Sequence, residues 1–227
     1  MFQSLINLFY PKVCAGCDSF LLSTEYIICS RCRHDMPLTH HSKIAENEAF
    51  KKFYGKVPVE FAATFVYFHK KGLVQRMIHN LKYKGCEEVG TAMGEWFAVE
   101  LKTIGVLLSV DAIIPVPLHK RKLRARGYNQ VTTFGLALSE KLEITYNDNL
   151  LVRTRYSKTQ TTKNLLGRTE VNANTIFDVV FTQNDYNKHF LLIDDVLTTG
   201  STLEACSRAL LKIPGTKISI ICLAMTN

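Results

Sequence analysis

Long apolar runs are absent from this 227-residue chain. No stretch reaches the ~20 consecutive apolar residues that cross a bilayer, which argues against a membrane-spanning helix. The opening stretch, MFQSLINLFYPKVC, is apolar but has no basic residue before Lys12. It therefore lacks the charged start of a signal peptide, and a cytoplasmic location is expected. Phe2, Leu5, Ile6 and Phe9 fall at helical spacing instead, the pattern of a short amphipathic helix that packs on the protein body or docks on a membrane or partner. There is no internal repeat and no low-complexity segment. Hydrophobic content of 47% with 21% charged residues excludes a disordered chain. Acidic residues are in short supply: 20 Asp and Glu face 28 Lys and Arg, for a net charge of +8. That balance favours phosphate-rich partners.

Four of the seven cysteines stand as Cys14-x-x-Cys17 and Cys29-x-x-Cys32. Two such knuckles bring four thiolates around one tetrahedral zinc. Without a secretory signal, a disulfide framework is disfavoured. The spacer DSFLLSTEYII suggests two short strands and a turn, as in a zinc ribbon. Four thiolates close the metal shell, so the role is structural. His34, His40 and His41 lie near the second knuckle but are not needed as ligands. Cys86, Cys206 and Cys222 are isolated and read as small buried residues. The expected organisation is a zinc-ribbon module over 1–40, a polar linker over 41–60 and a second domain over 61–227.

From Phe61 the pattern changes. FAATFVYFH reads as a strand, and Leu73, Val74, Met77, Ile78 and Leu81 mark a helix stopped by Gly85. A second helix is expected over Glu88–Lys102. Strands VDAIIPVP, HFLLID and KISIICLAM then alternate with helices QVTTFGLALSEKLEI and TLEACSRALLKI. Such alternation predicts an α/β fold, a parallel-sheet core flanked by helices.

The stretch LLIDDVLTTGST leaves one of those strands and enters a helix. Ligands of open α/β sheets sit at the carboxyl ends of strands, where helix amides point outward. Thr198, Thr199, Ser201 and Thr202 add hydroxyls, and Gly200 permits a close turn, so the loop suits a monophosphate. Asp194 and Asp195 suit vicinal hydroxyls, or a divalent metal held with them. A P-loop would need lysine where Ser201 stands. A capped turn, with Ser201 as N-cap and Glu204 closing a box, is the purely structural alternative, but it leaves two adjacent carboxylates unexplained.

Three basic stretches complete the inventory. Lys120, Arg121, Lys122, Arg124 and Arg126 crowd a segment read as a loop, before Asn129 as a helix cap. RTRYSKTQTTKNLLGR carries Arg153, Arg155, Lys158, Lys163 and Arg168 and reads as a loop. Lys82 and Lys84 flank Tyr83. Tyrosines among cations (Tyr83, Tyr128, Tyr156) can stack on single-stranded bases, although charge runs are often only solvated.

The acid pair and hydroxyl turn closely resemble the PRPP-binding signature of type I phosphoribosyltransferases. That resemblance implies that Asp194 and Asp195 take the ribose hydroxyls. Thr198, Thr199, Gly200, Ser201 and Thr202 would take the 5-phosphate. It also implies that Lys120, Arg121, Arg124 and Arg126 face the pyrophosphate with Mg²⁺, and that the 153–168 stretch closes over the ligand. Purine-salvage members commonly have an acid where this chain has Thr198, which speaks against 6-oxopurine salvage. The whole order, CxxC–CxxC, IHNLKYKG, IPVPLHKRKLRARGYNQ and LLIDDVLTTGST, resembles the ComF/GntX family. Membership implies a type I phosphoribosyltransferase fold joined to a zinc ribbon, a role in DNA uptake, contact with single-stranded DNA and competence partners such as a helicase. It leaves open an active transferase; no catalytic residue is assigned, and a base-selecting hood is expected from residues 53–85.

Overall fold

A computed structural model describes residues 11–153 and 176–226. The amphipathic segment at residues 2–9 lies outside them, as do Arg155, Tyr156, Lys158, Lys163 and Arg168. The core is a five-stranded sheet made of β1 (Phe61–Phe68), β2 (Ala112–Pro115), β3 (Thr145–Tyr146), β6 (His189–Leu197) and β7 (Lys217–Thr226). Their order is β1-β7-β6-β2-β3 and every pair is parallel. Two further strands, β4 (Leu151–Arg153) and β5 (Phe177–Val179), form a separate antiparallel ribbon. The inner strands are continuous apolar runs because both of their faces are covered.

Helices α3 (Leu73–Tyr83), α4 (Glu88–Leu101) and α6 (Thr132–Leu142) contribute to one core, around Leu81, Met93, Phe97, Phe134, Leu191 and Ile193. The first helix, α1 (Ser30–His34), starts within the second cysteine knuckle, and on the other face α2 (Glu48–Lys51), α7 (Ser201–Leu210) and the β4–β5 ribbon enclose Phe53, Leu192, Leu203, Leu210 and Ile220. The α4–α6 contact needs Gly94: a Cβ there would sit 2.7 Å from the Phe134 carbonyl oxygen and 2.9 Å from the Ala137 Cβ.

Strand β2 leads through α6 to β3 on one side, while β6 pairs with β2 on the other. The crevice where ligands of such sheets collect therefore lies past the carboxyl ends of β2 and β6. The expected alternation of strands and helices after residue 110 is present, with the β4–β5 ribbon as an addition.

Three local expectations change. The cysteine spacer forms isolated bridges, Val13–Phe20 and Tyr26–Ile28, rather than paired strands. Asp18 and Ile27 hold positive φ and interrupt any ladder. The basic segment after β2 is a helix, α5 (Lys120–Arg126), not a loop. His119 caps its start through Nδ1, which accepts the Arg121 amide at 3.1 Å, and Gly127 ends it at φ 83°. Residues 41–60, expected as a linker, pack on β1. The Asn47 amide donates to the carbonyl oxygen of Ala62 at 2.8 Å, and Phe53 is buried.

Candidate functional site

Successive residues of a strand face opposite sides of the sheet, and this alternation divides the acid pair. Asp195 follows the Leu191/Ile193 face, where α3 lies. Its Oδ2 stands 2.5 Å from the Lys82 Nζ, with side chains 9% and 20% exposed. The contact is an ion pair held by proximity; that oxygen has no well-aligned hydrogen bond. Asp194 follows the Phe190/Leu192 face and pairs in register with Cys222 of β7. Its Oδ1 accepts the Asp195 amide at 2.8 Å. Desolvation first, and then the neighbouring Asp195 charge, push the Asp194 carboxyl up to about 7. The Asp195 amide and the Lys82 ammonium act against that rise.

The hydroxyl loop joins β6 to α7. Gly200, at φ 82°, is the residue before the helix, and Thr199 Oγ1 and Ser201 Oγ are 2.9 Å apart. A Cβ on Gly200 would touch the Phe53 ring at 3.4 Å. Asp194, Thr198, Gly200, Ser201 and Thr202 line a single small cup at the helix start. The Ser201–Glu204 capping box does not form: the N-cap is Gly200, and the Glu204 carboxylate pairs with Arg208 at 3.0 Å. The Ser201 amide donates to Thr199 Oγ1 at 3.4 Å, and the helix start carries the positive end of the helix dipole, an arrangement suited to an anion.

Beyond the carboxyl end of β2, α5 exposes Lys120, Arg121, Lys122 and Arg124 to solvent. Arg126 turns back. Its guanidinium lies 5.0 Å from the Tyr83 ring centroid and donates to Gln130 at 2.6 Å. The Tyr128 hydroxyl donates to the Leu81 carbonyl. Lys82, Tyr83, Lys122, Arg126 and Tyr128 line a cleft of about 320 Å³. Lys82, expected on an outer nucleic-acid surface, is instead largely buried against Asp195. Tyr83 and Lys84 are exposed. Arg153 stands over the Phe177 ring at 5.2 Å, on the β4–β5 ribbon. The Lys82–Asp195 pair is the element that sequence reading misses, because its partners stand 113 positions apart in the chain.

At the amino end, the Sγ atoms of Cys14, Cys17, Cys29 and Cys32 lie within 4.8 Å of one another, and those of Cys17 and Cys29 are 3.7 Å apart. An edge of a tetrahedral zinc–thiolate site is ~3.8 Å at Zn–S ≈ 2.3 Å, so the donor set fits such an ion. Backbone amides of Gly16 and Cys29 donate to Cys14 Sγ at 3.4 and 3.2 Å, and the Cys32 amide to Cys29 Sγ at 3.4 Å. His34 and His40 are exposed and His41 is buried against Thr64, so the cluster is made of cysteines alone. Cys206 and Cys222 are fully buried as expected; Cys86 is only half-buried.

Among the described residues no helix is long and apolar enough to cross a membrane. A parallel sheet flanked by helices, a hydroxyl-rich loop after an acidic pair and an appended four-cysteine cluster together define a protein of phosphoribosyltransferase fold with a zinc-ribbon-like module. No family model matches the chain. Among curated proteins it is 31% identical over 156 residues to the DNA utilization protein YhgH of Escherichia coli O157:H7, covering 66% of each chain. It is 35% identical over 111 residues to competence protein F of Haemophilus influenzae, covering 48% of each. With competence protein ComFC of Bacillus subtilis it shares 26% identity, over 88% of this chain and 78% of that one. The chain belongs to the ComF/GntX family. The match to the first of these relatives spans slightly under two thirds of that protein. Adenine phosphoribosyltransferase of Leishmania donovani is a solved structure with 14% identity and a TM-score of 0.36, covering 63% of this chain and 66% of that one.

Proposed function

We propose that this protein binds PRPP or a related ribose 5-phosphate with Mg²⁺, and that it handles single-stranded DNA during DNA uptake through its basic surface. The single observation behind the first part is the cup that Asp194 shares with Thr198, Gly200, Ser201 and Thr202 at the start of α7. A phosphate in that cup would meet helix amides and hydroxyls, and the attached ribose would reach the carboxylate. Mg²⁺ would be held by Asp194 together with the ligand's own oxygens, and when bound it neutralises pyrophosphate charge. Lys120, Arg121 and Arg124 on α5 face the solvent beside the same crevice and would supply further cations. The chain then comprises a zinc-binding module over 1–40 and a ligand-binding unit over 61–227, working in the cytoplasm.

The names of the relatives favour a part in DNA handling, and the charge of +8 supports it. DNA does not suit the acid pair, since deoxyribose has no vicinal diol and its 3-oxygen is esterified within a strand. DNA would lie instead on α5, Lys84 and Tyr83, with Arg153 and the stretch after it. A helicase of the uptake machinery is the expected protein partner. A second reading, an active phosphoribosyltransferase of nucleotide salvage, draws on the tyrosine-lined cleft of about 320 Å³ beside Lys82, which has room for a base.

Calorimetric titration with Mg-PRPP tests the main reading. Wild-type protein should bind, and an Asp194→Asn/Asp195→Asn variant should not, while its affinity for single-stranded DNA stays close to wild type. Equal PRPP binding by both proteins would overturn the site. Release of pyrophosphate with an added base would establish the transferase reading.

A further inference from the structure

The last turn of α3 touches each part of the site with a different residue. Asn80 reaches the cysteine knuckle: its Nδ2 donates to the Ala15 carbonyl oxygen, between the two cysteines, at 3.0 Å. The Leu81 carbonyl receives the Tyr128 hydroxyl. Lys82 pairs with Asp195. Tyr83 lies under Arg126. Asn80 is 6% exposed, and its Oδ1 is buried with no partner. An unpaired buried acceptor is unfavourable, so the amide's contribution here lies in its donor. The Asn80 carbonyl also receives the amides of Lys84 and Cys86, at 3.0 and 3.3 Å, closing the helix end around it. On the surface, Arg76 reaches Asp18, next to Cys17, at 3.4 Å, a second but exposed link between knuckle and helix. The knuckle is itself held to the spacer by the Ala15 amide, which donates to Ile27 at 2.8 Å.

We propose that Asn80 is a positioning residue: it fixes the last turn of α3 to the Cys14–Cys17 knuckle, thereby sets where Lys82 meets Asp195, and so couples the thiolate cluster to the ribose-phosphate site. The name of that second site rests on the reading above; the coupling does not. Lys82 stands two positions after Asn80, about 3 Å of helix rise, so a shift of one is transmitted to the other. By linkage, a ligand that strengthens one end of such a connection strengthens the other.

The test is a double-mutant cycle on the full, metal-loaded chain, read without any ligand. Carbon-13 NMR follows the titration of the Asp194 carboxyl in wild type, Asn80→Leu, Lys82→Met and the double variant. Among the described residues the titratable groups facing Asp194 are Asp195, Lys82 on α3, Cys206 on α7 and Cys222 on β7, and burial keeps both thiols neutral. Lys82→Met is expected to raise proton affinity about tenfold. Asn80→Leu, which keeps the packing but loses the donor, should raise it about threefold with metal content unchanged. The double variant should match Lys82→Met alone. An Asn80→Leu curve that overlays wild type, or two shifts that simply add, would overturn the coupling. A second measurement needs no variant: removing the metal from wild type with a chelator must move the same curve, and an unmoved curve also overturns it. Titration with Mg-PRPP separates the two claims. If the Asp194→Asn/Asp195→Asn protein binds PRPP as wild type does, the ligand assignment falls while the cycle still decides the coupling.

Discussion

Replacing Lys82 by methionine removes the only cation paired with Asp195 among the described residues, while keeping the length of the stem. At 2.5 Å and an effective dielectric near 20, the Coulomb attraction of the pair is at most ~7 kcal/mol. Most of that is offset, because the pair gives up hydration to form. Removing one member of a buried pair typically costs about 3–5 kcal/mol. One fifth of the Lys82 side chain remains solvated, which moves the expectation to about 2–3 kcal/mol at pH 8.

The effect depends on pH in a definite direction. The Asp194 carboxyl keeps its proton in the folded protein up to about 7, above the range of an unfolded aspartate. Between those limits the native state binds the extra proton, so this contribution is complete at low pH and is lost as pH rises through about 7. Without Lys82 the folded pair holds its proton still more tightly, and the window extends upward. The loss in Lys82→Met should therefore be small at pH 5.5, about 1 kcal/mol, and largest at pH 8. Urea unfolding followed by the fluorescence of Trp96, the single tryptophan, measures it at both pH values. An equal loss at pH 5.5 and 8, or a variant as stable as wild type at pH 8, would refute the reasoning.

Gly200→Ala should destabilise the protein by about 1–2 kcal/mol, because φ 82° is costly for alanine and the new methyl presses on Phe53; thermal unfolding reads this, and phosphate-ligand affinity should fall more than stability does. Cys32→Ser should reduce bound zinc from one ion per chain to well below one by elemental analysis, and a full complement would exclude the four-cysteine site. Changing Lys120, Arg121 and Arg124 together to glutamine should weaken single-stranded DNA binding and reduce the logarithmic salt slope by about 2, at ~0.7 per contact. An unchanged slope would place DNA elsewhere.

The parts of this protein that depend on neighbouring residues are readable in its sequence. Apolar runs at His189–Leu197 and Lys217–Thr226 become the central strands, and the α3 stripe from Leu73 to Leu81 becomes a buried helix face. The cysteine spacing leads to a real cluster of thiols. Residue pairs far apart in the chain are another matter. Lys82 reads as one cation in a basic stretch until the fold brings Asp195 to it. Asn80 does leave a trace: it falls three residues after Met77, inside the apolar stripe, where a polar side chain needs a partner. The helix at Lys120–Arg126 is missed for a local reason. Charge density there suggests a loop, but Lys, Arg, Leu and Ala are all good helix formers, and His119 and Gly127 supply both caps.

Two adjacent aspartates at the end of a strand are tolerable because the pleat gives each a separate environment. Asp195 turns to the α3 face and is neutralised by a lysine of the chain itself. Asp194 turns to the α7 face, where its described neighbours are neutral thiols and hydroxyls, and it holds its proton instead. Among the described residues no cation pairs with Asp194, so on the proposed reading the cation arrives with the ligand, within reach of the hydroxyl-lined cup that shares its face. A molecule that brings a phosphate, a diol and a chelated divalent ion within one sugar's breadth meets that demand. A polynucleotide strand brings phosphates without the diol. On the proposed reading, one strand end thus takes a sugar phosphate at Asp194, and the basic helix α5 is the surface left for longer polyanions.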